Sequence, residues 1–144
     1  MKLTSFTDYS LRVLIYLAAE PGRRSTIWEI AQAFDVSENH LTKVVHLLGQ
    51  RSWIETTRGN GGGLQLARPP KEICIGKVVR DTEGEAMLAE CFALDGGDCV
   101  ISNCCLFKGV LEEAERAFYA VLDGHTLADL SRNRRAMIKV LRPV

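Results

Sequence analysis

Cys91, Cys99, Cys104 and Cys105 place four of the chain's five cysteines in one short stretch, Cys91 to Lys108. Thiolates hold zinc and iron–sulfur clusters, and paired thiols form disulfides. Gly96-Gly97 and Asn103 mark the stretch as a loop, and the segments on either side read as helix. A loop this rich in thiols is suited to holding something, and the rest of the chain to responding to it. An odd number of cysteines fits a disulfide framework poorly. The run Met1-Lys2-Leu3-Thr4-Ser5-Phe6-Thr7-Asp8 lacks the apolar core of a signal peptide, and no apolar run approaches the ~20 residues that span a bilayer. The expected compartment is the cytoplasm, where thiols stay reduced and clustered cysteines point to metal or redox chemistry.

The spacing narrows that chemistry. Cys91-x7-Cys99-x5-Cys105 supplies three thiolates to an iron–sulfur cluster. Cys104 could replace Cys105, because adjacent side chains diverge and rarely both ligate one cluster. Structural zinc prefers Cys-x2–4-Cys pairs, and the nearest approach is Cys99-x4-Cys104. A bare thiol switch is a further alternative. Residues 81–98 carry six acidic side chains and no Lys or Arg. That environment disfavours thiolates, whereas bound iron supplies compensating positive charge. Three thiolates leave one iron of a four-iron cluster to another ligand. Candidates by composition are Asp8, Glu85, Glu90, Asp95, Asp98 and the histidines. A hard carboxylate oxygen binds a soft site weakly, so that iron would be the one open to a small gas.

The elements that must position this loop can be read in order. Ser5 to Ala19 has helical spacing in Leu11, Leu14, Ile15 and Ala18. Ser5-x-x-Asp8 resembles a capping box, Asp8 can pair with Arg12, and Pro21-Gly22 ends the helix. Thr26-x-x-Glu29 is a capping box opening a short helix with Ile27, Ile30, Ala31 and Phe34 inward. After a tight turn at Asp35-Val36, Ser37 can cap a helix running to about Gln50. Leu41, Val44, Val45 and Leu48 form its apolar stripe. Asn39, Thr42, Lys43 and His46 face the other way, with His40 beside them.

Two short helices joined by a tight turn, the second with a polar outer face, describe a helix-turn-helix. Its second helix would enter a DNA major groove. Trp53 to Arg58 and Leu64 to Ala67 read as paired strands around Gly59-Asn60-Gly61-Gly62-Gly63, which completes a winged helix. The glycine tip at Gly61 permits close backbone approach to DNA, and Arg58 is placed for a phosphate or a narrow minor groove. A nucleotide phosphate loop is excluded, since no helix follows the glycines and no Gly-Lys-Ser/Thr ending is present. Net charge is zero, yet residues 37–71 carry five basic and two acidic side chains, a mildly basic module ahead of an acidic loop.

Beyond Pro69-Pro70, Ile73 to Val79 predicts a short strand or turn leading into a short helix, with Cys74 a small core residue. Cys105 to Asp123 predicts a long helix with Phe107, Val110, Leu111, Ala114, Phe118, Val121 and Leu122 on one face. Thr126-x-x-Asp129 starts a shorter helix, and Arg132 to Val144 reads as a fraying basic tail. The long apolar stripe calls for a symmetric dimer. The expected fold is mainly α with a small β-hairpin wing: a winged helix-turn-helix over 1–72, a connecting segment and cysteine loop over 73–108, and a dimerisation helix with C-terminal helix or tail over 105–144. No nucleophile–base constellation is present, so an enzyme is not expected.

The N-terminal run to Tyr9, the wing Arg58 to Ala67, Ile75-Gly76-Lys77-Val78-Val79-Arg80 and Thr126-Leu127-Ala128-Asp129-Leu130 closely resemble the Rrf family of transcription regulators, in particular its nitric-oxide-sensing branch. The resemblance covers nearly the whole chain. It implies a homodimeric winged-helix repressor that binds operator DNA with a 4Fe–4S cluster intact. The ligands it implies are Cys91, Cys99 and Cys105, with Asp8 from the other subunit. Nitric oxide would release Asp8, disturb the first helix and lift repression. The implied DNA contacts are Asn39, His40, Thr42 and Lys43 on the recognition helix and Arg58 in the wing. The chain departs from the branch in a longer first cysteine gap and in the extra Cys104; the five-residue gap after Cys99 favours Cys105 as third ligand. Two alternatives stand beside this reading. One is a 2Fe–2S or thiol-responsive regulator of the same family. The other is a zinc-stapled or electron-carrier iron–sulfur protein without a DNA role.

Overall fold

A computed structural model describes residues 2–84, 88–93 and 97–142, without the side chain of Glu90. The chain forms α1 (Ser5–Ala19), α2 (Ile27–Phe34), α3 (Glu38–Gln50), β1 (Ile54–Thr57), β2 (Gly63–Leu66), α4 (Ile75–Glu83), α5 (Leu106–Asp123), α6 (Leu127–Leu130) and α7 (Arg134–Leu141). Single 3-10 turns occupy Pro70–Glu72 and Glu90–Phe92. The mainly helical winged architecture expected from the sequence is the one observed. No helix among the described residues is long and apolar enough to cross a membrane.

Helix α1 lies at the centre. It touches α2, α3, α4, α6, α7 and β2, and Val13 and Leu14 are fully buried. This explains its apolar residues on more than one side. Ile30, Leu41, Val44 and Leu48 pack on it from the helix-turn-helix, and Ile73, Val78, Val79 and Leu127 belong to the same core cluster. Burying a side chain of this kind contributes roughly 1.5–3 kcal/mol, so α2, α3 and α4 share one source of stability.

The start of α1 differs from the sequence expectation. Thr4, not Ser5, is the N-cap, and its hydroxyl accepts from Thr7 N at 3.2 Å. In a capping box the third helical residue would take the N-cap N–H. Thr7 cannot, and Glu83 of α4 does so instead: Thr4 N donates to its Oε1 at 2.8 Å, and Thr4 Oγ1 donates to the same oxygen at 3.1 Å. A distant carboxylate thus replaces the local one, leaving Asp8 to pair with Arg12. The box at Thr26/Glu29 forms as expected, and the helix expected to start at Thr126 is opened by a second box, Thr126/Asp129. Ser37 occupies the N-cap of α3 but makes no side-chain capping bond.

The turn between α2 and α3 rests on Asp35, left-handed at φ 51°, whose N–H donates to Ala31 O and Gln32 O. Asp tolerates this conformation better than most residues. β1 and β2 pair antiparallel with Ile54 opposite Leu66 and Thr57 opposite Gly63.

Two further expectations need correction. The C-terminal segment is helical over Arg134–Leu141 rather than frayed. Leu141 packs on the core, and the Arg142 guanidinium reaches Tyr16 Oη at 3.0 Å and pairs with Glu20. These tertiary partners, on α1 and at its C-cap, hold a segment whose composition alone suggests solvation. The apolar face assigned to α5 is in fact two faces. Phe118 and Leu122 turn to the core, while Phe107, Val110 and Val121 are more than half exposed.

Candidate functional site

Asn39, His40, Thr42 and Lys43 all lie exposed on the outer face of α3, opposite buried Leu41, Val44, Val45 and Leu48. The helical period alone produces this segregation. Thr42 Oγ1 donates to Glu38 O at 2.8 Å, which leaves its lone pairs free to accept. His46 shares a hydrogen bond with Gln50 at 3.0 Å. His40 stacks on Tyr9 of α1, with ring centroids 6.2 Å apart and 24° between planes. The outer face is therefore registered against α1 at its first turn. Tyr9 is a contact that period and propensity could not reveal, because it joins two helices thirty-one positions apart.

The wing carries Arg58 and Gly61 exposed at its tip. Gly59 and Gly61 have φ of +91° and +76°, conformations that glycine adopts without steric cost. The hairpin is tied to the link between α1 and α2. Ser25 and Leu64 exchange backbone hydrogen bonds of 3.0 and 2.7 Å. Arg24 donates to Gly61 O at 3.3 Å and to Gln65 Oε1 at 3.4 Å. A Cβ on Gly63 would come within 3.0 Å of Ser25 O, so the approach requires glycine. Sequence reasoning missed Arg24, whose partners lie about forty residues away and leave no local signal.

At the root of the wing stands Trp53, 5% exposed. Its Nε1–H donates to Asp81 Oδ2 of α4 at 2.8 Å, and Arg68 lies over its ring at 5.0 Å. On the same helix Arg80 makes two bonds to Asp123 at the end of α5, 2.6 and 2.8 Å long, and covers the Tyr119 ring at 4.3 Å. The paired guanidinium holds the Asp123 carboxyl below its ordinary value. Burial raises the Tyr119 phenol.

All five cysteines are free thiols. Cys91 sits in the 3-10 turn Glu90–Phe92, and Cys91, Cys99 and Cys105 are half-buried. Cys104 is exposed, and its thiol donates to Ile101 O at 3.5 Å. Cys105 occupies the N-cap position of α5 and makes no side-chain capping bond. Cys74 lies apart from the others. It is half-buried rather than fully in the core, and its thiol points to Asp123 O and Oδ1 at 3.8 and 3.7 Å.

Among the described residues no three His, Cys, Asp or Glu side chains are gathered closely enough to hold a metal ion. The donor set itself, three half-buried reduced thiols on one loop, is chemically suited to iron–sulfur ligation. Asp8 pairs with Arg12 at 2.9 Å, both side chains more than two-fifths exposed. Asp98 is exposed. Glu85, Asp95 and the side chain of Glu90 lie outside the described residues.

Residues 3–133 match the Rrf2 family, described as an iron-dependent transcriptional regulator. The HTH-type transcriptional regulator NsrR of Bacillus subtilis (strain 168) is 52% identical over 143 residues, covering 99% of this chain and 98% of that protein. NsrR of Geobacillus kaustophilus (strain HTA426) is 47% identical over 143 residues, covering 99% of this chain and 97% of its own length. Of the solved structures, T. potens IscR aligns with a TM-score of 0.74 at 25% identity, over 92% of this chain and 88% of that one.

Proposed function

The chain belongs to the Rrf2 family of transcriptional regulators, and from that premise we propose that it is a homodimeric repressor whose operator binding depends on a 4Fe–4S cluster that reacts with nitric oxide. The observation that carries this reading is the set of three half-buried free thiols, Cys91, Cys99 and Cys105, on the loop ahead of α5 in a winged-helix regulator 52% identical to NsrR. Cys105 is preferred to Cys104 because its thiol lies at a helix N-terminus, while the Cys104 thiol is exposed and bonded to Ile101 O. Asp8 of the partner subunit is the fourth ligand in this reading. When bound, such a cluster supplies an iron centre open to attack by nitric oxide.

The chain's own residues do the rest. Asn39 and Lys43 offer donors to base edges and phosphates in the major groove, and Thr42 an acceptor. His40 is held in place by Tyr9. Arg58 enters the minor groove beside the operator half-site, with Gly61 letting backbone approach the phosphates. Since Tyr9 adjoins Asp8, a change in the Asp8 bond is felt one residue from the stack that orients the recognition helix.

Dimer formation uses the exposed face of α5. Phe107, Val110, Ala114, Ala117 and Val121 are all exposed and follow the alternating three- and four-residue spacing of a coiled-coil seam. Pairing α5 with its copy buries that seam and sets two recognition helices for two half-sites.

Anaerobic purification followed by visible spectroscopy during nitric oxide titration tests the reading, with Cys99→Ala, Cys105→Ala and Asp8→Ala alongside. The expected result is a broad brown absorption that bleaches with nitric oxide as operator binding is lost, is absent without Cys99 or Cys105, and is altered without Asp8. A colourless anaerobic protein, supplied with iron and still binding operator tightly, would overturn it and return the thiols to zinc or redox chemistry.

A further inference from the structure

The last turn of α4 holds three elements at once. Arg80 grips the end of α5 through Asp123, Asp81 grips the root of the wing through Trp53, and Glu83 caps α1 through Thr4. Asp81 stands ten residues before Cys91 in the chain. Two of these contacts are exposed, but that of Asp81 is partly buried, and it meets a ring that is 5% exposed. We propose that Asp81 is the positioning residue that couples the cysteine loop to the wing, by holding the Trp53 indole at the start of β1. The proposal rests on the cluster-dependent reading above and names the route by which the loop's state reaches the wing.

Trp53 is well placed to transmit a small shift. Its indole is fixed at the edge by Asp81 and on the face by Arg68, which leaves the hairpin after β2. Its carbonyl accepts from Ala67 N at 3.1 Å, so ring and backbone both bind the foot of the hairpin. Arg58 and Gly61 stand at the far end of that hairpin. A small movement of α4 relative to the helix-turn-helix tilts the indole, and the two-stranded lever enlarges the displacement at the tip. A hydrogen bond from an indole N–H to a carboxylate is charge-assisted and directional, which makes it a firmer link than apolar contact alone.

Substitution of Trp28 by Phe leaves Trp53 as the remaining one of the chain's two tryptophans, and its emission then reports the link directly. In that background Asp81→Ala and Asp81→Asn are compared with the parent for Trp53 emission, visible absorption and operator affinity, each with the cluster present and removed. Trp53→Phe, which keeps an apolar ring but has no N–H to donate, is measured for affinity alone and combined with Asp81→Ala. Coupling energies between linked sites amount to about 5–150-fold in affinity. The expected result is that Asp81→Ala keeps the brown absorption, shifts Trp53 emission and reduces the ratio of loaded to cluster-free affinity about fivefold or more. Asp81→Asn, which retains an acceptor oxygen, restores most of that ratio. Trp53→Phe has the same effect as Asp81→Ala, and the double variant adds little further. Equal loss of affinity in both states, or an unchanged ratio, overturns the proposal, since a merely structural contact would act on both states alike. A parent protein whose affinity does not depend on the cluster overturns the functional reading and this proposal together.

Discussion

The Asp8 carboxylate lies 2.9 Å from the Arg12 guanidinium on the next turn of α1, and Arg12 in turn stands over the rings of Tyr9 and Phe34 at 5.9 and 5.7 Å. Asp8 is free to make this pair because Glu83, not Asp8, completes the cap at Thr4. The pair engages Oδ2 alone, so ligating iron in a partner subunit would cost Asp8 at most this one contact. An exposed pair at this spacing is worth about 0.3–0.5 kcal/mol, a small cost to ligation.

Asp8→Ala and Arg12→Ala should therefore each shift the urea unfolding midpoint only slightly. Their visible spectra should differ: Asp8→Ala alters the absorption, and Arg12→Ala leaves it close to the parent's. Equal spectral changes in the two variants would mean that Asp8 acts through Arg12 and not as a ligand.

Arg24 and Arg58 make opposite predictions in a salt titration. Arg24 is engaged with Gly61 O and Gln65, so Arg24→Ala should weaken operator binding by loosening the wing, with a loss of about 1 kcal/mol for a hydrogen bond of this kind. The slope of log affinity against log salt should stay the same. Arg58→Ala should lower that slope by about one, as for a lost phosphate contact. A reduced slope for Arg24→Ala would make it a direct phosphate contact.

Gly76 carries a steric prediction. A Cβ there would lie 1.9 Å from Asp123 Oδ1 and 3.0 Å from Asp123 N, and Arg80 restrains the Asp123 carboxylate with two hydrogen bonds. Gly76 lies in the first turn of α4, where Ala gains at most about 1 kcal/mol over Gly in propensity. The collision reverses the sign, and Gly76→Ala should destabilise by about 1–3 kcal/mol, read from chemical denaturation. A stabilised variant would show that α5 yields readily at this point.

The local devices of the fold were legible in the sequence, and the distant ones were not. The Thr26 capping box, the helix start at Thr126, the α3 stripe and the glycine hairpin follow from spacing, because their partners lie within one turn or one strand pair. The Thr4 cap was misplaced by one residue because its carboxylate comes from Glu83, seventy-nine positions on. The C-terminal helix was missed for a related reason: Arg142 is held by Tyr16 and Glu20, and nothing near it in sequence announces them. The apolar residues of α5 were identified, yet a single stripe was inferred where Phe118 and Leu122 face inward and Phe107, Val110 and Val121 outward. The cysteine spacing could be read directly. The five-residue gap after Cys99 already favours Cys105 over Cys104; burial and the N-cap position, which are properties of the folded chain, add to that preference.

Acid should act on the α2 cap. Burial pushes the Glu29 carboxyl up, but hydrogen bonds from Thr26 N, Arg23 and the Thr26 hydroxyl together hold it below its ordinary 4.5. A carboxyl depressed in the folded state stabilises fully above its unfolded value and loses that contribution as pH falls through the folded one. Unfolding followed from pH 6 to pH 3 should show stability falling below about pH 4.5, with a smaller fall in Glu29→Gln. Thr26→Ala should cost about 1 kcal/mol at neutral pH. An identical pH profile for Glu29→Gln would assign the acid sensitivity to other carboxylates.

The α5 seam gives the sharpest test of assembly. Val110 is 58% exposed and Phe107 63% exposed in the protomer, so a charge placed at either position meets water in the monomer and a like charge in a symmetric pair. Val110→Glu should leave the protomer's unfolding midpoint near that of the parent when measured at high dilution, and should shift sedimentation from dimer to monomer. Operator affinity should fall steeply, because a monomer reads one half-site only. Glu substituted at Lys108, half-buried and outside the seam spacing, serves as the control for added negative charge. Dimers persisting in Val110→Glu would place the interface elsewhere on the molecule.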